Sequence, residues 1–234
     1  MSVRFVDLGA SSFASVDELM RRLQRLRIED RIADTVLLVS HPEVLTLGPR
    51  AVKDGATPPD GFDAIATDRG GGLTWHGPGQ LVVYPIIHWS MASERSVNAI
   101  VNRLEGWIID AFQVLGIEAQ RDPRMRGVWV GEWKIVSIGL SFLHWVSRHG
   151  VSINIDPDLS RLEQVAGCGL DPGMTSSLEA LGFPCTRDEV VAALLATFPA
   201  SLERPAEGHS VNTPPPWRDL SAPPWDAHPV RTDP

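Results

Sequence analysis

Residues 69–80 read RGGGLTWHGPGQ, with glycine at 70, 71, 72, 77 and 79. Three consecutive glycines let a backbone approach a ligand closely and give access to positive φ. The stretch is not a dinucleotide fingerprint, because G-x-G-x-x-G is absent and the apolar run after it, LVVYPII at 81–87, reads as a strand. It is not a phosphate-cradling P-loop either, having no G-K-[ST]. A glycine-dense turn can be a plain connector. Arg69, Thr74, His76 and Gln80 within this one point instead to a ligand-binding loop.

The segments around it alternate between strand and helix patterns. Val16, Leu19, Met20, Leu23 and Leu26 recur at helical spacing, which predicts a helix from about Ser15 to Ile32, with Ser15 and Glu18 as its capping box. Its other face carries Arg21, Arg22, Arg25 and Arg31. TVLLVS at 35–40 is an apolar run of strand length, ended by His41-Pro42. PRAVKDGATPPDG at 49–61 reads as a loop, and DAIATD at 63–68 as a strand. A second helix is predicted over Val97 to Leu115, closed by Gly116. GVWVGEWKIVSIGLSFL at 127–143 has the pattern of a hairpin turning at Gly131-Glu132, and HGVSINI at 149–155 alternates like a strand. A last helix opens at a Thr186/Glu189 capping box and ends near Phe198.

Composition narrows the class. The chain has 234 residues, 43% hydrophobic and 21% charged, as expected of one sizeable α/β domain. No apolar run approaches the ~18 residues of a membrane helix, and Arg4 and Asp7 stand where a signal peptide would need its apolar core. The expectation is a cytoplasmic protein without a membrane partner. A formal net charge of −8 argues against nucleic acid as a partner. From Pro199 to Pro234, nine of 36 residues are proline and no apolar periodicity survives. The expected organisation is therefore a domain over 1–198 and a proline-rich tail over 199–234, extended or disordered, able to wrap the domain through Trp217 and Trp225.

Two cysteines are too few for a disulfide scaffold, and no C-x-x-C or H-x-x-x-H pair supports a metal centre. Cys168, in VAGCGL, sits among small residues that expose a thiol and free backbone N–H groups for an oxyanion. Cys185, in GFPCT, reads as structural. A lone cysteine is commonly a small buried hydrophobe, and becomes a nucleophile only beside a group that lowers its pKa. Lys134, in the strand EWKIVSIGL, is the candidate for that group if it faces a pocket rather than solvent. His76 and His149, each before a glycine, are candidates to line the same pocket. No G-x-S-x-G elbow supports a serine hydrolase.

Taken in order, SHPEVLTLG, RGGGLTWHGPGQ, KIVSIG, HGVSIN and AGCGL resemble the octanoyl-[acyl-carrier-protein]:protein N-octanoyltransferases of lipoate biosynthesis, over about residues 3 to 198. The resemblance implies an α/β (α+β) fold, a mixed β-sheet packed by helices, shared with biotin and lipoate protein ligases. It implies Cys168 as the acyl-thioester nucleophile and Lys134 as the group that lowers its pKa. It also implies an acyl pocket lined by Arg69, Gly70, Gly71, Gly72, Leu73, Thr74, Trp75 and His76, by Ser137, Ile138 and Gly139, and by His149, Gly150 and Val151. No cofactor is implied. The donor would be octanoyl-acyl carrier protein, and the acceptors apo lipoyl domains of 2-oxoacid dehydrogenases and the glycine cleavage H protein. The sequence differs from the family pattern at Trp75, usually tyrosine or phenylalanine, and at Gly167, commonly proline. An acidic carrier docking on an acidic enzyme needs a local basic patch, for which Arg121, Arg124, Arg126 and Arg148 are candidates and the Arg21/Arg22/Arg25 face the second choice. Three other readings share some of these residues: an ATP-dependent lipoate- or biotin-type ligase that has no need of Cys168, an octanoyl amidotransferase that moves the acyl group between two lipoyl-type proteins by the same chemistry, and a noncatalytic module that binds lipoyl domains.

Overall fold

A computed structural model of the chain describes residues 2–165 and 173–211, the last five of these by their backbone only. The elements in order are β1 (Val3–Ala10), α1 (Phe13–Ile28), β2 (Asp34–Ser40), β3 (Val44–Leu47), α2 (Pro49–Lys53), β4 (Ala64–Ala66), β5 (Leu73–His76) and β6 (Gln80–Ile86). After them come α3 (Val97–Val114), β7 (Gln120–Asp122), β8 (Met125–Val130), β9 (Trp133–Leu143), β10 (Val146–Asn154), α4 (Leu159–Gln164), α5 (Arg187–Leu202) and β11 (Ala206–Val211).

Eight strands form one mixed sheet in the order β11-β1-β2-β6-β10-β9-β8-β7, parallel among β11, β1 and β2 and antiparallel from β2 onward. A second sheet, β4-β3-β5, stands beside it. Side chains alternate faces along a strand, and here both faces are covered. On β2 and β6, Leu37, Val39, Val82 and Tyr84 pack with Val16, Leu19, Met20 and Leu23 of α1. Their neighbours Val36, Leu38, Leu81 and Val83 pack with Leu104, Trp107 and Ile108 of α3 and Leu194 and Phe198 of α5. Double burial is why TVLLVS and LVVYPII are continuous apolar runs rather than alternating ones.

Several expectations need correction. Helix α1 begins two residues before the predicted start, because the Ser12 side chain accepts from the Ser15 backbone N–H and so Ser12, not Ser15, is the cap. Residues 49–53 are helical, opened by Pro49, whose missing N–H costs nothing in a first turn. Leu73–His76, inside the glycine-rich stretch, pair with β3 as a strand. Helix α5 opens at the Thr186/Glu189 capping box as expected, but continues through Pro199 to Leu202. Burial of Phe198 and Leu202 holds that last turn against the lost hydrogen bond. Beyond it Arg204 is buried and donates to both oxygens of buried Glu94, and β11 pairs with β1. Residues 199–211 thus belong to the packed unit, whereas the rest of the predicted tail, with Trp217 and Trp225, lies outside the described residues.

Candidate active site

A cavity of ≈ 350 Å³ lies between the main sheet, the start of α1 and the glycine-rich segment. That volume is at the small end of the ~300–1,000 Å³ usual for ligand sites. Arg69, Gly70, Gly71, Gly72, Leu73, Thr74, His76, Ser137, Ile138, Gly139, His149, Gly150 and Val151 all line it, together with Lys134. Trp75 does not. Strand alternation turns it away from Thr74 and His76, into a small cluster with Leu45 and Val165, where its indole N–H donates to Glu43 across 3.0 Å. Exposed Arg50, Gly70, Gly71 and Arg126 mark the mouth, and buried Phe13, His76, Val82, Tyr84 and His149 the floor.

The glycine loop is held from inside. Gly70 N–H donates to the Leu140 carbonyl at 2.8 Å, and buried Arg69 donates to the carbonyls of Thr46 and Gly72 at 2.6 and 2.8 Å. The loop lies so close to β9 that a Cβ at Gly139 would stand 2.8 Å from the Gly70 carbonyl oxygen. Only glycine fits there without displacing backbone.

The floor is a set of oriented rings. His41 Nδ1 donates to the Ser11 carbonyl at 2.7 Å, leaving Nε2 to accept from the Tyr84 hydroxyl at 2.8 Å. His76 Nδ1 donates to Gln80 Oε1 at 2.7 Å, and Gln80 is set in turn by Asn154. Burial lowers His41 to about 4 and His76 to about 3, so both imidazoles are neutral at physiological pH. His149 has φ 59, which breaks the strand alternation and lets two successive side chains, Arg148 and His149, reach Asp68. Burial also lowers the His149 pKa, against the pull of Asp68.

Lys134 faces the cavity rather than solvent. It is 5% exposed, and burial brings its pKa down from 10.5 to about 8, opposed by the Glu105 carboxylate. Its ammonium donates to the Met125 sulfur at 3.1 Å. Opposite its stem Gly127 takes φ 133, and a Cβ there would stand 2.7 Å from Lys134 Cε. The Lys134 backbone N–H donates to Met174 O at 2.8 Å and its carbonyl accepts from Ser176 N–H, pinning residues 174–176 against it. Cys168 and its neighbours Gly167 and Gly169 lie outside the described residues. Cys185 is partly buried, packs against the main core, and has a thiol pushed up by burial. Among the described residues no group of three His, Cys, Asp or Glu could hold a metal ion, and no helix is long and apolar enough to cross a membrane.

Residues 13–199 match the family model of the lipoyl protein ligase A/B catalytic domain. An octanoyltransferase of Solibacter usitatus is 41% identical over 192 residues, 78% of this chain and 85% of that protein. The chain belongs to the octanoyltransferase family. It is accordingly an acyltransferase. Its fold extends further: the bi-partite lipoate protein ligase of Thermoplasma acidophilum superposes with a TM-score of 0.66 at 15% identity, over 91% of this chain and 88% of that one. The biotin protein ligase of Leishmania major follows at 0.50 and 10%, over 87% and 76%.

Within this family frame, three contributors escape a reading by motif. Phe13 and Tyr84 sit in ordinary apolar patterns, and Asp68 in a weak strand pattern; each gains its place from partners remote in sequence. The arginine expectations divide. Arg148 is 4% exposed and bound by Asp68 and Asp17, so it is no part of a surface patch. Arg121, Arg124 and Arg126 are exposed, each already facing Glu105, Asp122 or Glu132.

Proposed function

We propose that this octanoyltransferase-family chain moves an octanoyl group from octanoyl-acyl carrier protein to the ε-amine of a lysine on apo lipoyl domains, including those of 2-oxoacid dehydrogenases and the glycine cleavage H protein. The reaction would run in the cytoplasm, through a thioester on Cys168. The observation that carries this reading is the buried amine of Lys134. It lines an acyl-sized cavity, and the chain six residues beyond Cys168 is hydrogen-bonded to its backbone.

At a pKa of about 8, roughly a tenth of Lys134 is neutral at pH 7, against well under a thousandth of an ordinary lysine. The neutral amine takes the Cys168 proton, and the thiolate attacks the octanoyl carbonyl carbon. The new C–S bond forms as the carrier's C–S bond breaks, and the Lys134 ammonium returns the proton to the leaving carrier thiolate. In the second half the acceptor amine attacks the acyl-enzyme. A C–N bond forms, the bond to Cys168 breaks, and Lys134 carries the amine's proton to the sulfur. Thioester to amide is downhill, so no nucleotide enters the scheme. Each methylene in the cavity contributes about 0.8 kcal/mol toward holding the chain.

The test is transfer from octanoyl-acyl carrier protein to an apo lipoyl domain without ATP, comparing the wild type with C168A. Transfer by the wild type and its loss in C168A supports the reading. Activity in C168A that requires ATP and free octanoate moves the chain to the ligases.

A further inference from the structure

Phe13 is the first residue of α1, held by the Ser12 cap, and it is 4% exposed. A buried phenyl ring ordinarily belongs to the apolar core. Phe13 belongs to none of the three apolar clusters. Its ring neighbours are imidazoles: His76 and His149 lie nearly parallel to it, at 12° and 10° with centroids 6.2 and 6.4 Å away, and His41 meets it edge-on at 5.5 Å.

Those imidazoles cannot retreat freely. His41 is tied to Ser11 and Tyr84, His76 to Gln80, and His149 to Asp68. The phenyl ring is therefore backed by a fixed polar wall and presents an apolar surface to the cavity. It also stands at the end remote from the reacting group. Tyr84 of β6, which bonds His41 and meets the ring of His149, both of them ring partners of Phe13, and Lys134 of β9 are two strands apart, and the pairing of Val83 with Val151 and of Val151 with Ile138 offsets them by about five residues along the sheet. With about 4.8 Å between strands and about 3.3 Å per residue, their Cα atoms are roughly 19 Å apart. Side chains entering from both ends leave room between them for a medium-length acyl chain.

We propose that Phe13 sets the length of the acyl chain this cavity accepts, by stopping the terminal methyl group. The proposal rests on the octanoyl-transfer reading and names the residue that selects the substrate within it. An alanine there opens space directly beyond the methyl of an eight-carbon chain; a tryptophan takes space from that chain.

The test measures kcat/KM with hexanoyl, octanoyl, decanoyl and dodecanoyl carrier protein for the wild type, F13A, F13L and F13W, and the affinity of each free fatty acid by calorimetry. A newly buried methylene is worth about fourfold, so the decanoyl-to-octanoyl ratio in F13A should rise about tenfold or more. F13L should rise less, and F13W should favour hexanoyl. Ratios that stay within twofold of wild type in all variants, even as absolute rates fall, overturn the proposal. If F13A does not fold, F13L and F13W decide by the same ratios. A wild type that transfers none of these groups overturns the transfer reading, while the fatty-acid affinities still decide the role of Phe13.

Discussion

His149 Nε2 donates to Asp68 Oδ1 across 2.9 Å, joining the middle of β10 to the residue that leads into the glycine loop. Arg148, the preceding residue on the same strand, donates to the other oxygen of that carboxylate. Burial works to raise the Asp68 pKa. The His149 hydrogen bond and the Arg148 charge outweigh it and hold the carboxyl below the usual range. The loop that roofs the cavity is thus fastened to the sheet by charge at Asp68, and by backbone at Gly70.

Replacing Asp68 by asparagine should release that fastening. Arg148 would stay buried with Asp17 as its remaining carboxylate, so a loss of about 2 kcal/mol is expected, moderated because Asp68 is itself half exposed. KM for the acyl donor should rise more than kcat falls. Urea unfolding and steady-state kinetics check both; an unchanged midpoint would mean that the ion pair contributes nothing net.

Lys134→Met should abolish transfer and yet stabilise the fold at pH 7. The folded-state pKa of about 8 lies below the 10.5 of an unperturbed lysine. Holding the charged form therefore costs up to about 3 kcal/mol at pH below 8. That cost shrinks as pH rises from 8 to 10.5 and vanishes above, so the melting temperatures of variant and wild type should converge over that interval. A variant less stable than wild type at pH 7 would show that the ammonium has a strong partner.

The neutral histidines predict acid sensitivity. His41 and His76 bind protons in the unfolded chain near 6.5 and in the folded one only near about 4 and about 3. Stability should be intact above pH 6.5 and fall as pH drops toward 4, by about 2–3 kcal/mol for each histidine at pH 4.5. H76Q should remove one proton's share of that slope in urea unfolding between pH 7 and 4.5. An equal slope in variant and wild type would contradict the burial assigned to His76.

Much of this was legible in the residues and some was not, for physical reasons. The helices α1 and α3 are read from apolar periodicity, which depends only on local spacing, and α5 from its Thr186/Glu189 capping box alone. Strand β5 hides among glycines and a proline because β3, not local propensity, makes it a strand. The motif places His76 beside the cavity, but nothing in it shows that Trp75 turns away. Asp68 meets His149 across 81 positions, and Phe13 gathers histidines from 41, 76 and 149, so their roles exist only once the chain is folded.

An acyl group carried on Cys168 changes the mass of the protein, which intact-protein mass spectrometry reads without any coupled step. The purified chain is mixed with octanoyl-acyl carrier protein, without ATP or acceptor. The expected result is a mass gain of one octanoyl group, removed by hydroxylamine, mapped to Cys168 and missing in C168A. No adduct on the wild type, together with full transfer once ATP and free octanoate are supplied, would contradict it.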